Sequence, residues 1–442
     1  MIDGEHYPPV VIDALAELKR RGREIMGLVF LGGTEKILDA KQMSVYGYPV
    51  IAVESMAEGV GEAIDRWKPQ TVLDLSDEPV VGYRERFTLA SLILSRGVAY
   101  EGADFEFRPP TFNDLAAKPS LGVIGTGKRV GKTAMAAYAC RELKEAGFDP
   151  GVVAMGRGGP VEPEVIRGDE IRLDAEYLYE QAKDGRHAAS DHFEDALMSR
   201  IPTVGCRRCG GGLAGEPFVS TVPEGAKVAN GLDVDFLVFE GSGAAMPPIR
   251  TDARLTVAGM NQPADYITGY LGPLRILLSD LVVLTNCEES VSEEKTARVV
   301  DGIREIKPGI EVIRTVFRPH PLQDISGKRV FFATTAPPSS GPMLKEFLET
   351  EAGARVVGLS HHLSNRPLLR ADLDSCAEEF DVMLTELKAA AVDVATAVGL
   401  DLGKQVVYCD NVPLAVDGWP LAKSLVALAR RAVDRFAGGD DG

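Results

Sequence analysis

Leu121-Gly122-Val123-Ile124-Gly125-Thr126-Gly127-Lys128-Arg129-Val130-Gly131-Lys132-Thr133 is an apolar run that empties into a basic, glycine-rich loop. A helix-forming segment, Lys132 to Ala146, follows directly. Strand, tight loop and helix start, in that order, are the setting of a phosphate loop. Small residues let successive backbone N–H groups curl around an anion, and the helix start adds its dipole. Lys132 then reaches the β- and γ-phosphates, and the Thr133 hydroxyl ligates magnesium. Gly125, Thr126, Gly127, Lys128, Arg129, Val130, Gly131, Lys132, Thr133 and Ala134 are the expected ATP cradle.

Outward from this loop, buried-strand patterns recur at Gly151–Met155, Asp235–Glu240, Asp280–Thr285 and Ile310–Phe317. Strands alternating with helices predict a parallel sheet covered on both faces. The fold class is α/β: a central P-loop NTPase domain over residues 118–326 between an N-terminal α/β domain, 1–117, and a C-terminal Rossmann-like α/β domain, 327–442. The first unit has strand patterns at Ile25–Leu31, Pro49–Val53 and Thr71–Leu75, and helices at Val10–Arg21 and Arg84–Ser95. In the third, strands at Lys328–Thr335, Arg355–Leu359, Asp381–Leu384 and Lys404–Cys409 alternate with helices at Met343–Glu351, Leu368–Glu378, Leu387–Val398 and Leu421–Phe436. The tail Gly438–Gly442 is expected to fray.

The 442 residues carry 48 Lys and Arg against 65 Asp and Glu, a net charge of −17. That balance excludes a general nucleic-acid coat and a protein held to anionic membrane by charge. No apolar run approaches the roughly 20 residues of a membrane span, and the N-terminus lacks the basic and apolar regions of a signal peptide. Six cysteines in so long a chain make no disulfide framework. A cytoplasmic protein with reduced thiols is expected. Only six Asn and six Gln favour a thermophilic source.

Against this acidic background, Leu115 to Arg141 holds five cations (Lys118, Lys128, Arg129, Lys132, Arg141) and no acid. One nucleotide needs fewer, so Lys128 and Arg129 are assigned to a second anion as well. Two further loops carry arginine among glycines: Gly156-Arg157-Gly158-Gly159-Pro160 and Gly205-Cys206-Arg207-Arg208-Cys209-Gly210-Gly211-Gly212. Arginine forks bind phosphate oxygens in pairs, and flanking glycines free backbone donors to help. The strand ending in Glu240 places a hard carboxylate oxygen at the ligand crevice, where it suits magnesium. Gly241, Ser242 and Gly243 follow as substrate-contacting small residues, and Arg250 is read with them. Asn286, Arg318 and Pro319, at the ends of the next two strands, are candidates for the nucleotide base.

Cys206 and Cys209 form a lone CxxC, with His187 and His192 at a poor spacing for zinc. Two alternatives follow. One is an ATP-dependent kinase or ligase acting on another small anion; the other is a metallochaperone or partition-type NTPase that uses Cys206 and Cys209. In the outer units, the loops Asp3–Pro9 and Leu31–Lys36, the helix-start pair Arg84 and Arg86, the adjacent His361 and His362, and Thr385-Glu386-Leu387-Lys388 are weaker site candidates.

The loop resembles the GT-x-x-x-VGKT variant of dethiobiotin synthetase and its relatives, and Phe239-Glu240-Gly241-Ser242-Gly243 resembles their metal-ligand segment. IDGEHYPPVV at the start, GTGKRVGKT, GRGGP, GCRRCGGGLAG, FEGSGA and TELKAAAVDVAT together resemble the cyclic 2,3-diphosphoglycerate synthetase family along nearly the whole chain. The resemblance implies an ATP-dependent ligase that converts 2,3-diphosphoglycerate to its cyclic diphosphate, with ADP and phosphate released. It implies magnesium on Thr133 and Glu240, with potassium admitted as a further cation, and catalysis by Lys132, Lys128, Arg129, Arg157, Arg207 and Arg208. A homodimer that acts on a small molecule, not on nucleic acid or membrane, completes the expectation.

Overall fold

The computed structural model describes residues 1–33, 40–52, 54–416 and 418–438. One mostly parallel sheet of thirteen strands carries the central and C-terminal parts of the chain. At its middle lies Ser120–Gly125, flanked in parallel by Phe236–Glu240 and Ala253–Gly259. Pro150–Gly156 and Pro202–Cys209 extend one side, and Leu281–Thr285 and Glu311–Pro321 the other. Every residue of Ser120–Gly125, Pro150–Gly156, Phe236–Glu240 and Leu281–Thr285 is buried. Such unbroken apolar strands belong to a parallel sheet covered by helices. The helix Lys132–Glu145 packs Met135, Ala136, Ala139 and Leu143 onto Leu121, Val123 and Val238 of this sheet.

Four features differ from the expectation. Gly205–Cys209 is not loop: it lies in the strand Pro202–Cys209, paired in register with Pro150–Gly156, and only Gly210 onward leaves the sheet. Ala253–Gly259, whose Arg254 and Thr256 disguise its apolar character, is a full central strand. The strand expected to end at Phe317 runs on to Pro321, because Thr315–Pro321 pairs antiparallel with Cys409–Ala415. Through that pairing Gln405–Ala415, Val382–Glu386, Arg329–Ala333 and Arg355–Ser360 join the same sheet. The helix expected over Leu387–Val398 begins instead with a wide π-type turn, Ala391–Thr396, and ends as Ala397–Asp401. The last helix, Leu421–Gly438, leaves the C-terminal strands and buries Leu425, Leu428, Ala429 and Ala432 in the central core.

The described residues of the first 108 build two small sheets, Leu28–Phe30 with Val50–Ala52, and Thr71–Leu73 with Ala99–Glu101 and Glu106–Phe107. Their core closes on Leu271 and Leu274 of the central part. Thr34, Glu35 and Lys36 of the loop singled out in the sequence, Val53, and the tail from Gly439 lie outside the described residues. No described helix is long and apolar enough to cross a membrane.

Candidate active site

The phosphate loop sits at the carboxyl edge of Ser120–Gly125, where parallel strands open a crevice. Gly131 takes φ +87, and a Cβ there would lie 2.2 Å from the Phe317 ring, so only glycine lets the loop pass under it. Arg129 adopts φ +61, a conformation rare for a residue with a side chain. Lys132 is 7% exposed and folds back, its Nζ donating to Gly127 O at 2.9 Å. Thr133 Oγ1 donates to Glu240 Oε1 at 2.7 Å, and Thr126 Oγ1 to Gln262 Oε1 at 2.5 Å.

Glu240 ends its strand beside Val123 of the neighbouring strand and is 2% exposed. Burial, reinforced by Asp191, pushes its carboxyl up to about 7. Burial pushes Lys132 down to about 8, against the pull of Glu240 and Asp191. A second set of acids meets them. The helix Asp191–Ser199 presents Asp191, Glu194 and Asp195, all of them raised above the usual carboxylate range, chiefly by burial. Asp195 is fully buried with its carboxyl against that of Glu240, and no N–H or hydroxyl of another described residue reaches either Asp195 oxygen or Glu240 Oε2. Sequence reasoning missed this helix. Its signal was there: acids at i, i+3 and i+4 share a helix face, and the other residues of that helix are mostly buried.

The basic residues divide. Lys128, Arg157 and Arg208 share one neighbourhood: burial and then the Arg157 charge depress both Lys128 and Arg208. Arg208 donates from Nη2 to Ser242 O and from Nη1 to Gly210 O, each at 2.9 Å, while its buried Nε lacks an acceptor. Gly243, at φ +61, lies where a Cβ would come 3.1 Å from Arg208 Nη2. Gly241 donates its N–H to Val123 O at 2.8 Å and so stays within the sheet. Arg207 turns to the neighbouring loop instead, with Nε on Pro160 O at 2.7 Å and Nη2 on Gly159 O at 3.1 Å. It braces that loop. Gly158 lies against the His187 ring, and a Cβ on Gly159 would strike Cys206 O at 2.1 Å. Arg129 Nη2 reaches Ser364 Oγ at 3.1 Å across to the C-terminal part.

Three residues lie elsewhere than their sequence reading put them. Arg250 precedes Ala253–Gly259, whose Ala253 pairs with Leu121 at the amino end of the sheet. It therefore stands at the edge opposite the phosphate loop and is not brought to this site. Arg318 forks onto Glu288 at 2.8 and 3.1 Å, which consumes its charge. Pro319 is buried opposite Asn411 in the antiparallel pair. Phe317 is the apolar residue that meets the loop. Asn286, at φ +56, does stand at the loop edge, where its neighbour Thr285 donates Oγ1 to Val130 O at 2.7 Å. Cys206 and Cys209, three apart on one strand, project to opposite faces. Cys206 is buried against Gly225, with its thiol pushed up to about 12, and Cys209 is exposed. That geometry gives no shared metal to the pair.

Three family models match the chain in succession. They are the N-terminal domain of cyclic 2,3-diphosphoglycerate synthetase over residues 1–108, its P-loop domain over 120–316 and its C-terminal domain over 321–412. A cyclic 2,3-diphosphoglycerate synthetase of Methanothermobacter thermautotrophicus is 50% identical over 447 residues, covering 99% of this chain and 96% of the relative. One from Rubrobacter xylanophilus is 50% identical over 446 residues, covering 100% and 99%. Another, from Methanothermus fervidus, is 49% identical over 447 residues, covering 99% and 97%. With its phosphate loop, its Thr133–Glu240 pair and its arginine strand in a single full-length match, the chain belongs to the cyclic 2,3-diphosphoglycerate synthetase family.

Proposed function

We propose that this chain uses ATP to close 2,3-diphosphoglycerate into its cyclic diphosphate, releasing ADP and phosphate. The observation that carries the reading is the gathering of Lys128, Arg157 and Arg208 around a Lys132 phosphate loop in a chain of net charge −17. ATP and a doubly phosphorylated acid repel each other, so reaction needs fixed cations and exclusion of water.

In this reading, the backbone of Gly125–Thr133 and the Lys132 ammonium hold the ATP phosphates. Lys132 Nζ exchanges its contact with Gly127 O for a phosphate oxygen. Lys128, Arg129, Arg157 and Arg208 hold the acid substrate, and Arg207 keeps the Gly158–Pro160 loop against the sheet. One substrate phosphate oxygen attacks the γ-phosphorus, and the bond to ADP breaks. An oxygen of the other substrate phosphate then attacks the substrate-derived phosphorus. A P–O–P bridge closes the ring, and inorganic phosphate leaves. Proximity within one molecule favours this second step.

Thr133 Oγ1, Glu240 and Asp195 are oxygen donors suited to a divalent cation, and Glu240 Oε2 and the Asp195 oxygens are the atoms such an ion would satisfy. Magnesium there would neutralise phosphate charge. The reading also carries a cytoplasmic setting, potassium as an accessory cation and a homodimer, the last open to light scattering. Phosphorus NMR of the protein with ATP, magnesium and 2,3-diphosphoglycerate should show a cyclic pyrophosphate signal that Lys132→Ala abolishes. ATP consumption that never depends on diphosphoglycerate would overturn the assignment.

A further inference from the structure

One charged side chain of the C-terminal part reaches the central site without a place in that chemistry. Lys388 follows the strand Val382–Glu386, and Ala389 beyond it turns sharply at φ +50. The Lys388 ammonium lies 3.1 Å from Glu194 Oε1, with the two side chains 30% and 7% exposed. Glu194 is thus buried and Lys388 half-buried. Glu386, two residues earlier, is already held by Thr334, Thr335 and Asn411. Its charge also acts on Lys388, as does that of Asp410, but Glu194 is the carboxylate in direct contact with the ammonium among the described residues. Lys388 opposes the burial that raises Glu194, and its charge also acts on Asp191.

Glu194 belongs to the nine-residue helix that also carries Asp191 and Asp195. A helix this short has little stability of its own, so its docking contacts decide where its side chains point. Phe193 and Leu197 dock it through an apolar cluster that includes Ala137 of the phosphate-loop helix and Leu387 and Ala390 beside Lys388. Apolar contacts tolerate small rotations; the directional Lys388–Glu194 contact at 3.1 Å, with the Arg141 Nη1 bond to Met198 O at 3.0 Å, limits rotation about the helix axis.

We infer that Lys388 is a positioning residue of the phosphoryl site: through Glu194 it holds the helix Asp191–Ser199 so that Asp191 and Asp195 face Lys132 and Glu240. The inference rests on the proposed phosphoryl transfer at Lys132. It gives the C-terminal part a role in the reaction: misplacing these acids by about an ångström costs on the order of a hundredfold in rate.

The test compares Lys388→Met, Lys388→Arg and Glu194→Gln with wild type. Lys388→Met should lower kcat about tenfold to a hundredfold, with the ATP KM within about threefold, and Lys388→Arg should recover most of the loss. Glu194→Gln combined with Lys388→Met should lose no more than Lys388→Met alone, since both break one contact. Hydrogen exchange of the 191–199 amides should quicken in the Met variant and return to normal in the Arg variant. A kcat unaltered by Lys388→Met, additive losses, or unchanged exchange overturns the inference. A wild-type protein that makes no cyclic product overturns the proposed function instead, while the exchange measurement still decides the placement of Lys388.

Discussion

Glu240→Gln separates the cost of burying a carboxylate from its use. In the folded chain the Glu240 carboxyl ionises near 7, against an ordinary value of 4.5. That difference is worth about 3 kcal/mol at roughly 1.4 kcal/mol per pH unit. Between these two pH values the folded state keeps a proton that the unfolded state has lost. Stability therefore falls as pH rises from about 4.5 to about 7, and above that window the whole cost stands. Glutamine carries no charge, and its Oε1 can still accept from the Thr133 hydroxyl. At pH 8, with metal chelated, the variant should melt roughly 6–12 °C above wild type, at about 2–4 °C per kcal/mol for a domain of this size. At pH 5 the gap should shrink to about 2 °C, because less than about 1 kcal/mol of the cost has yet developed. Glu240 also raises Glu194 and Asp195, so the difference between the two proteins reads the Glu240 charge together with the relief its loss gives those acids. The more stable variant should nonetheless make no cyclic product. Scanning calorimetry of the two proteins at pH 5 and pH 8 is the assay. A melting difference that is the same at both pH values refutes the reasoning.

Arg208→Ala removes two charge-assisted donors beside Ser242 and should raise the diphosphoglycerate KM about tenfold to a hundredfold. Arg250→Ala, at the far edge of the sheet, should leave both KM values within about twofold; steady-state kinetics in which Arg250→Ala matches Arg208→Ala would refute this placement. Gly131→Ala puts a methyl group 2.2 Å from Phe317 at a positive φ, and calorimetry should show a loss of about 1–3 kcal/mol together with weakened ATP binding. Replacing both Cys206 and Cys209 with alanine should leave turnover intact; stoichiometric zinc in the native protein, lost from that variant, would revive the metal-carrier reading.

What the sequence disclosed is what neighbours in sequence determine. The phosphate loop was legible because Gly125–Thr133 follows one strand and opens one helix, all within a continuous segment. Glu240 was legible for the same reason, as an acid at the end of an unbroken apolar strand. The losses came wherever distant pairing decides. Pro202–Cys209 hides its strand character behind Arg207 and Arg208, and only its register with Pro150–Gly156 reveals it. Arg250 looked close to Glu240 because ten residues separate them, but the intervening chain doubles back along the sheet to begin a new parallel strand at its amino end. Asp191, Glu194 and Asp195 were not singled out at all, because only tertiary packing turns their helix face inward.

The inward face explains why a site for two polyanions carries so many acids. The Arg157 charge disfavours the charged forms of both Lys128 and Arg208, so without counter-charges the cations of the empty crevice would repel. Asp191 offsets this: it favours the charged forms of Lys128, Lys132 and Arg208 at once. It acts as an internal stand-in for the phosphates. Incoming phosphates then replace an existing attraction, so cations already in place need little rearrangement, which is the condition for electrostatic preorganisation. Asp191→Asn should therefore act in one direction. With the stand-in neutralised, the ground-state grip on ATP and diphosphoglycerate should tighten, while the empty protein loses stability through cation repulsion. Calorimetric binding of a non-hydrolysable ATP analogue alongside thermal melting reads both. Binding that weakens together with stability would assign Asp191 to the ligands themselves and end its role as their substitute.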